Sequence, residues 1–458
     1  MGKVMRPKVP TPSDFDIFRM RLDNMIDLRH ELVRLAKLID WKRFDDAFGP
    51  LYNEAKGRPG LPTRLMAGLH MLKHMKGLSD ESVCAQWVEN PYYQAFCGEE
   101  FFQHKLPLDR SSMTRWRNRI GADKLETLLA ETIAAALKVK AVSTGEIERI
   151  TVDTTVATKA IAHPTDSHLL LRAVEWLNRA ARKVGITLRQ SYVRVARHAR
   201  REVARLLHTG GHAQGMRHLR KMRTWVGRLY RDIARKTEGQ PAAKDPHLAM
   251  AMERVGRLMT QKPDDKSKLY ALHAPEVECI GKGKARVRYE FGVKCTLAVT
   301  NARAAGGQFI VGAKIVPGNP WDGNTLAAQV DQVERLTGHR VHRAYVDRGY
   351  RGHKIKRAGL EIIVSHTRGI ASPTIRREMR RRNAIEPIIG HLKSDGLLER
   401  NHLKGASGDA VNAILAAAGH NLRLLARWLR SLCLLLVSLV ITTFALSDAR
   451  QYPCRTPA

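Results

Sequence analysis

Arg382, Glu386 and Lys393 lie in the run Arg382-Asn383-Ala384-Ile385-Glu386-Pro387-Ile388-Ile389-Gly390-His391-Leu392-Lys393, at the spacing Arg-x3-Glu-x6-Lys. At about 100° per residue, these offsets put the three within roughly 40° of one another around a helix. Ile385, Ile388, Ile389 and Leu392 form an adjoining apolar face. A carboxylate flanked by two cations at the rim of a packed helix suits a metal ligand that meets phosphate, the cations taking the phosphate oxygens. A solvated, weakly paired helix face has the same pattern, so this segment alone leaves both readings open. Pro387 disfavours a helix interior. Either a helix starts near Asn383 with Glu386 in its first turn, or it kinks there.

Two further carboxylates favour the chemical reading. Asp153 is expected to end a strand in Ile150-Thr151-Val152-Asp153-Thr154-Thr155, and Asp347 to end another in Ala344-Tyr345-Val346-Asp347-Arg348-Gly349-Tyr350-Arg351-Gly352. A strand-end aspartate is often only a turn or cap residue. Here, however, glycines after Asp347 permit close backbone approach, and Arg348 and Arg351 suit phosphate. Asp153 and Asp347 on neighbouring strands, with Glu386 on a helix across them, would give three convergent oxygen donors for hard divalent cations, Mg2+ or Mn2+. Two such ions about 4 Å apart activate a water or 3′-hydroxyl and stabilise the leaving oxygen of an in-line phosphoryl transfer. Asp166, Asp264, Asp265, Asp322 and Asp395 are read as outside this set, in loops or off strand ends.

The elements that must position these groups follow from periodicity. Residues 148–156, 287–300, 308–316, 341–346 and 361–364 are β-branched or alternating and read as strands, with glycine turns at 281–283 and 306–307. Residues 324–336 read as a helix between strands, so a mixed sheet flanked by helices is expected. Residues 1–145 read as an all-helical domain. Helices are expected at 62–76, 79–89 and 123–137, and Ser79 and Asp123 are candidate N-caps. Between them, Arg110, Arg115, Arg117 and Arg119 surround Trp116 on a helix of the kind that contacts DNA, or on an ordinary amphipathic surface helix.

A long interruption at about 165–260 reads as helical and basic. Residues 168–240 hold 18 Lys and Arg against 4 acidic residues. A solvated helical hairpin is the plain reading. A DNA-backbone-binding insertion is preferred, because so large a positive excess on a compact piece is costly without an anion nearby. The formal charge of +34 over 458 residues likewise points to a polyanionic partner, and 44% hydrophobic content excludes a disordered tail.

Six cysteines without CxxC pairs fit a reduced, cytoplasmic chain, and His208 and His212 alone are weak metal ligands. Residues 1–16 lack the apolar core of a signal peptide. The apolar run 432–446 is about 15 residues, short of the roughly 20 that span a bilayer, and reads as a buried terminal helix or extension.

Thr151-Val152-Asp153-Thr154-Thr155, Tyr345-Val346-Asp347-Arg348-Gly349-Tyr350 and Arg382-x3-Glu386-x6-Lys393 resemble the DDE-type transposases of bacterial insertion sequences, closest to insertion-sequence family five. The stretch from Leu269 to Cys279 and the segments at 23–27 and 67–93 also look like that family, and the likeness extends to about Arg430. The resemblance implies an α/β fold with an RNase-H-like mixed-sheet catalytic core at 146–430, interrupted by the basic insertion, after the helical 1–145 domain and before an apolar extension at 431–458. It implies Asp153, Asp347 and Glu386 as the metal-binding triad with Mg2+ or Mn2+, as two ions. Arg382 and Lys393 would contact phosphates at the element's ends. Related enzymes carry a tyrosine where Met379 stands, and methionine cannot supply its hydrogen bond.

The expected activity is hydrolysis of a phosphodiester to free a 3′-hydroxyl, then attack of that hydroxyl on target DNA. The partners are double-stranded DNA and further copies of the chain in a synaptic complex, with no membrane and no small-molecule substrate. An RNase-H-like nuclease without strand transfer and a catalytically idle DNA-binding regulator are the alternatives.

Overall fold

β-Branched runs interrupted by glycine and polar turns build one six-stranded mixed sheet. A computed structural model describes residues 20–52, 60–262, 264–281, 288–302, 304–365 and 372–451, with side chains as far as 431. The strands are β1 (Arg149–Thr158), β2 (Glu278–Gly281), β3 (Tyr289–Thr300), β4 (Ile310–Val316), β5 (Arg343–Val346) and β6 (Glu361–Val364). Their order is β2-β3-β1-β5-β6, with β4 also paired to β3. β2 and β4 run antiparallel to β3, whereas β5 runs parallel to β1 and β6 parallel to β5. Five strands stand where alternation predicted them. β2 was not expected, because its four residues are too few to show a period. The turn expected at 281–283 begins at the end of β2, and its remaining residues lie outside those described.

The chain divides into two compact units, Met1–Ala157 with Lys294–Ala458, and Thr158–Val293. The first contains α1 (Glu31–Leu38), α2 (Trp41–Phe48), α3 (Thr63–Lys76), α4 (Asp80–Glu89), α5 (Pro91–Cys97), α6 (Ser111–Lys138) and α7 (Thr144–Ile147). Ser79 caps α4 as expected, its hydroxyl accepting from the Ser82 N–H at 3.0 Å. The helix expected from Asp123 is the second part of α6, beyond a break at Gly121 (φ 74°, ψ 169°), a backbone conformation that glycine tolerates. One continuous apolar core joins Leu35, Phe44, Leu69 and Leu128 of these helices to Val152, Leu297 and Val346 of the sheet. The expected boundary near 145 therefore falls inside a shared core.

The second unit carries the basic insertion. Its helices follow the unit-one helices in chain order: α8 (Asp166–Lys183), α9 (Val193–His208), α10 (His212–Thr237) and α11 (Pro246–Thr260). It is more than a solvated hairpin, because Leu170, Val174, Leu177, Met222, Val226, Ile233 and Val255 form a separate buried core. Apolar residues at helical spacing fill that core while Lys and Arg occupy the outer faces.

The chain returns to the first unit with α12 (Asp322–Thr337), α13 (Pro373–Arg382), α14 (Ile385–Ser394) and α15 (Gly405–Gln451). The boundary expected at 431 lies inside α15, and the side chains of its run 432–446 lie outside the described residues, as do residues 1–16. Among the described residues, no helix is long and apolar enough to cross a membrane. Cys84, Cys97 and Cys295 are free and buried, and burial pushes the Cys84 thiol up to about 11 and that of Cys295 up to about 12.

The N-terminal helices are locked by a buried ionic cluster. Asp80 accepts two hydrogen bonds from Arg117 (3.0 and 2.6 Å) and one from Lys73 Nζ (2.6 Å). Burial alone would raise its carboxyl, but Arg117 and Lys73 hold it well below the usual carboxylate range. His70 places Nδ1 2.7 Å from the Met66 carbonyl and Nε2 3.2 Å from Arg117 Nη1, which fits a neutral ring donating to the first and accepting from the second. Burial, then the Arg117 charge, lowers the His70 pKa to about 3. Arg117 is thus corrected from a DNA contact to a structural residue, 4% exposed and committed to Asp80. Trp116 is likewise core, packed edge-on against Phe48 and stacked on His70.

Arg117→Ala leaves Asp80 buried with Lys73 alone, and is expected to cost about 3 kcal/mol in urea unfolding. The same truncation at exposed Arg115 should stay within about 0.5 kcal/mol. Stability should also fall with acidification. Burial lowers the pKa values of His70, His74 and His420 below the ordinary 6.5, so each takes up a proton only on unfolding. Each therefore contributes a loss of about 1.4 kcal/mol per pH unit below its unfolded value. His70→Gln should reduce the slope of unfolding free energy against pH, measured from about pH 6 down to about pH 4.5, by one such increment.

Candidate catalytic carboxylate edge

The pairing of β1 with β5 sets the first two carboxylates. Arg149 lies opposite Arg343, Ile150 opposite Ala344, and Thr151 opposite Tyr345. Continuing that register by two residues puts Asp153 opposite Asp347, on adjacent strands about 4.8 Å apart and, by the period of two, on the same face. Asp347 lies just past the end of β5, still extended (φ −81°, ψ −177°), and its Oδ1 accepts from the Gly349 N–H at 2.9 Å. Asp153 does not end its strand, as the sequence had suggested. β1 runs on to Thr158 because β3 supports its other edge, through Asn301 N–H to the Arg149 carbonyl (2.8 Å) and Lys159 N–H to the Phe291 carbonyl (3.0 Å). Asp153 is thus the point where β1 loses its β5 partner, a crevice at the carboxyl end of parallel strands.

A third aspartate, Asp322, which the sequence reading had set aside, lies beside the Gly349 turn that Asp347 caps. It opens α12, where the helix N-terminus favours a negative charge. Its Oδ1 accepts from Lys294 Nζ at 2.9 Å and from Thr154 Oγ1 at 3.2 Å. A Cβ on Gly349 would sit 3.0 Å from Asp347 Oδ1 and 3.1 Å from Asp322 Oδ2, so a side chain there would press both carboxylates back by a few tenths of an ångström. The buried Tyr350 hydroxyl feels all three charges. Burial raises its pKa most, and the negative charges of Asp153, Asp322 and Asp347 raise it further. Sequence alone could have flagged Asp322 only as a carboxylate at a helix start. Trp321, 42% exposed and immediately before Asp322, is a second residue missed there.

The Arg-Glu-Lys motif does not form one helical stripe. α13 ends at Arg382 and α14 begins at Ile385, with Pro387 in its first turn, the first of the two arrangements that the proline allowed. Arg382 precedes α14 and reaches Asp153, with Nη1 3.8 Å from Oδ2. Glu386 is exposed in the first turn of α14. Lys393, in the last turn, lines a cleft of about 830 Å³ with Lys73, Asp80, Arg117, Arg400 and His402. Arg348, Arg351, Arg110 and Arg115 are exposed, and Arg119 lies over the Tyr52 ring at 5.2 Å. Among the described residues, no three His, Cys, Asp or Glu side chains are grouped closely enough to hold a metal, and Glu386 is not gathered with the aspartates. Arg382 beside Asp153 and Lys294 beside Asp322 supply the compensating charge instead.

A buried carboxylate anchors Arg382 in place. Glu378 on α13 accepts from Arg149 Nη1 (2.8 Å) on β1, and from Arg343 Nη1 (3.0 Å) and the Tyr345 hydroxyl on β5. Burial would raise its pKa, but these three donors outweigh that and lower it. The Asn301 side chain donates to the Glu378 carbonyl at 3.1 Å. α13 is therefore tied to the two strands that carry Asp153 and Asp347.

A family model described as a transposase domain (DUF772) matches residues 20–119. The chain is 54% identical over 204 residues to an uncharacterized protein, ORF8 in the nfe locus of Rhizobium meliloti, an alignment covering 44% of this chain and 98% of that protein. No solved structure matches. The N-terminal helices thus carry a transposase domain, and the chain belongs to one family with this uncharacterized relative.

Proposed function

We propose that the protein cuts the ends of its own mobile element and joins the freed 3′-hydroxyl to target DNA, using Asp153 and Asp347 at the sheet edge together with Glu386 on α14. The observation that supports this reading is the β1–β5 register, which, continued two residues beyond its last pair, brings Asp153 opposite Asp347, and both charges act on Tyr350. The order β4-β3-β1-β5-β6, antiparallel on one side of β1 and parallel on the other, supports an RNase-H-like core. A place within insertion-sequence family five belongs to the same proposal.

All-oxygen donors on adjacent strands fit a hard divalent cation. Asp153, Asp347 and Glu386 would hold Mg2+ or Mn2+, with Asp322 as a further donor, only once Glu386 is drawn to the sheet edge, since among the described residues these side chains are not grouped as a metal site. When bound, two such ions supply activation of the attacking oxygen and stabilisation of the leaving one. The chain's own residues do the rest. Arg382, Arg348 and Arg351 draw phosphate oxygens toward the edge and neutralise them. Trp321 offers a flat aromatic face on which a base near the reacting phosphate can stack. The helices within 1–145 hold end DNA through Arg110, Arg115 and Arg119. Lys393 contacts phosphate from its cleft. The working form is a homo-oligomer bridging two ends, acting in the bacterial cytoplasm.

Asp153→Ala, Asp347→Ala and Glu386→Ala are each expected to lower Mg2+-dependent nicking of an end-containing duplex at least about a thousandfold, while gel-shift binding of that duplex persists. Normal nicking by any one of them would remove that residue from the set. Covalent joining of the labelled 3′ end to a second DNA is expected from the wild type, and release of cut ends alone would reduce the activity to that of a nuclease. For Asp322→Asn, the Mg2+ concentration giving half-maximal nicking should rise about tenfold. An unchanged Mg2+ dependence would make Asp322 an anchor for Lys294 only.

A further inference from the structure

The helix α10 carries a second basic feature, separate in its residues from the carboxylate edge. It holds eight Lys and Arg and a single acidic residue, Asp232. Arg217, Arg220, Lys221, Arg228, Arg231 and Arg235 are all exposed. At about 100° per residue they fall within roughly 100° of one another around the helix. The opposite face, Met222, Val226, Leu229 and Ile233, is buried in the insertion's own core. The lone acid is turned away from solvent: Asp232 is buried and accepts from Lys236 Nζ and the Arg189 N–H, each at 3.2 Å. Among the described residues no carboxylate lies within ion-pair distance of Arg217, Arg220, Lys221, Arg228 or Arg231.

We propose that this face of α10 docks the sugar-phosphate backbone of duplex DNA without regard to sequence; the inference rests on the reading that the protein acts on DNA. From Arg217 to Arg235 the stripe is about 27 Å long at 1.5 Å per residue. That length matches about eight base pairs at 3.4 Å each. Beside it, Arg189, Tyr192, Arg228, Arg231 and Arg235 line a cavity of about 460 Å³, in which Arg228 Nη1 lies 3.5 Å from the Tyr192 hydroxyl. Asp232 also lines that cavity, 3.8 Å from Arg189 and Arg235, and the four guanidinium groups outnumber it, leaving Arg228 and Arg231 to take phosphate oxygens. A lipid surface is the poorer fit, because the apolar face of α10 is used up in the core and cannot enter a bilayer.

The test uses the full chain and a random-sequence duplex of about 30 base pairs lacking element ends, in EDTA, with anisotropy read across about 50–200 mM salt. Each lost phosphate contact should flatten the slope of log K against log salt by about 0.9. The combined variant Arg217→Gln, Lys221→Gln, Arg228→Gln, Arg231→Gln should therefore lose about 3 to 4 from that slope. Arg217→Lys, Arg228→Lys and Arg231→Lys together should retain it, since the positive charges remain. An unchanged slope in the glutamine variant, loss of slope in the lysine variant, or tighter binding of a double-stranded RNA of equal length would each overturn the proposal. Thermal unfolding confirms that the glutamine variant is folded. Were it not, Arg217→Gln with Lys221→Gln alone should lose about 2 from the slope, and no loss would overturn the proposal. Nicking by the glutamine variant at saturating DNA, with wild-type duplex affinity in Asp347→Asn, separates this surface from the carboxylate edge. A flattened slope with no nicking in the wild type would sink the proposed reaction and leave the docking surface standing.

Discussion

The parallel register between β1 and β5 is the constraint on which the rest of the site depends. A strand's side chains alternate with a period of two, so a slip of one residue would move Asp347 to the opposite face from Asp153. Several contacts hold the register at its start. Glu378 accepts from Arg149, Arg343 and Tyr345, which stand on both strands, and α13 is thereby fixed across the pair. The same helix ends in Arg382, whose guanidinium faces Asp153. One buried carboxylate thus both pins the two strands and aims the cation that meets the edge.

Charge balance explains the geometry of that edge. Several carboxylates facing one place repel each other unless cations or metals intervene. Arg382 beside Asp153 and Lys294 beside Asp322 do this from within the chain. Gly349 permits the crowding, since any side chain there would meet Asp347 and Asp322 together.

The insertion solves a different problem. A chain this basic must keep its cations apart from one another and outside its cores. The insertion does so with four helices whose apolar faces form a core of their own, so the Lys and Arg of α10 can gather on one outer face. In α6 the opposite happened. Arg117 was drawn into the core because Asp80 and His70 waited there, while Arg115 stayed at the surface.

The sequence by itself determined five of the six strands, the helical insertion, and the candidacy of Asp153 and Asp347, because alternation, glycine turns and helical spacing are local properties. It also determined that Pro387 marks a helix start or a kink, between which the structure chose the start. Tertiary structure alone decided that Asp322 stands with Asp347, that Arg117 is structural, and that the Arg-Glu-Lys run is split between two helices. Each of these turns on which groups meet across long stretches of chain. Asp322 and Thr154 are 168 residues apart, and Glu378 and Arg149 are 229 apart. No local pattern encodes such pairings, because they are selected by packing of the whole fold and by the cost of leaving a buried charge without a partner.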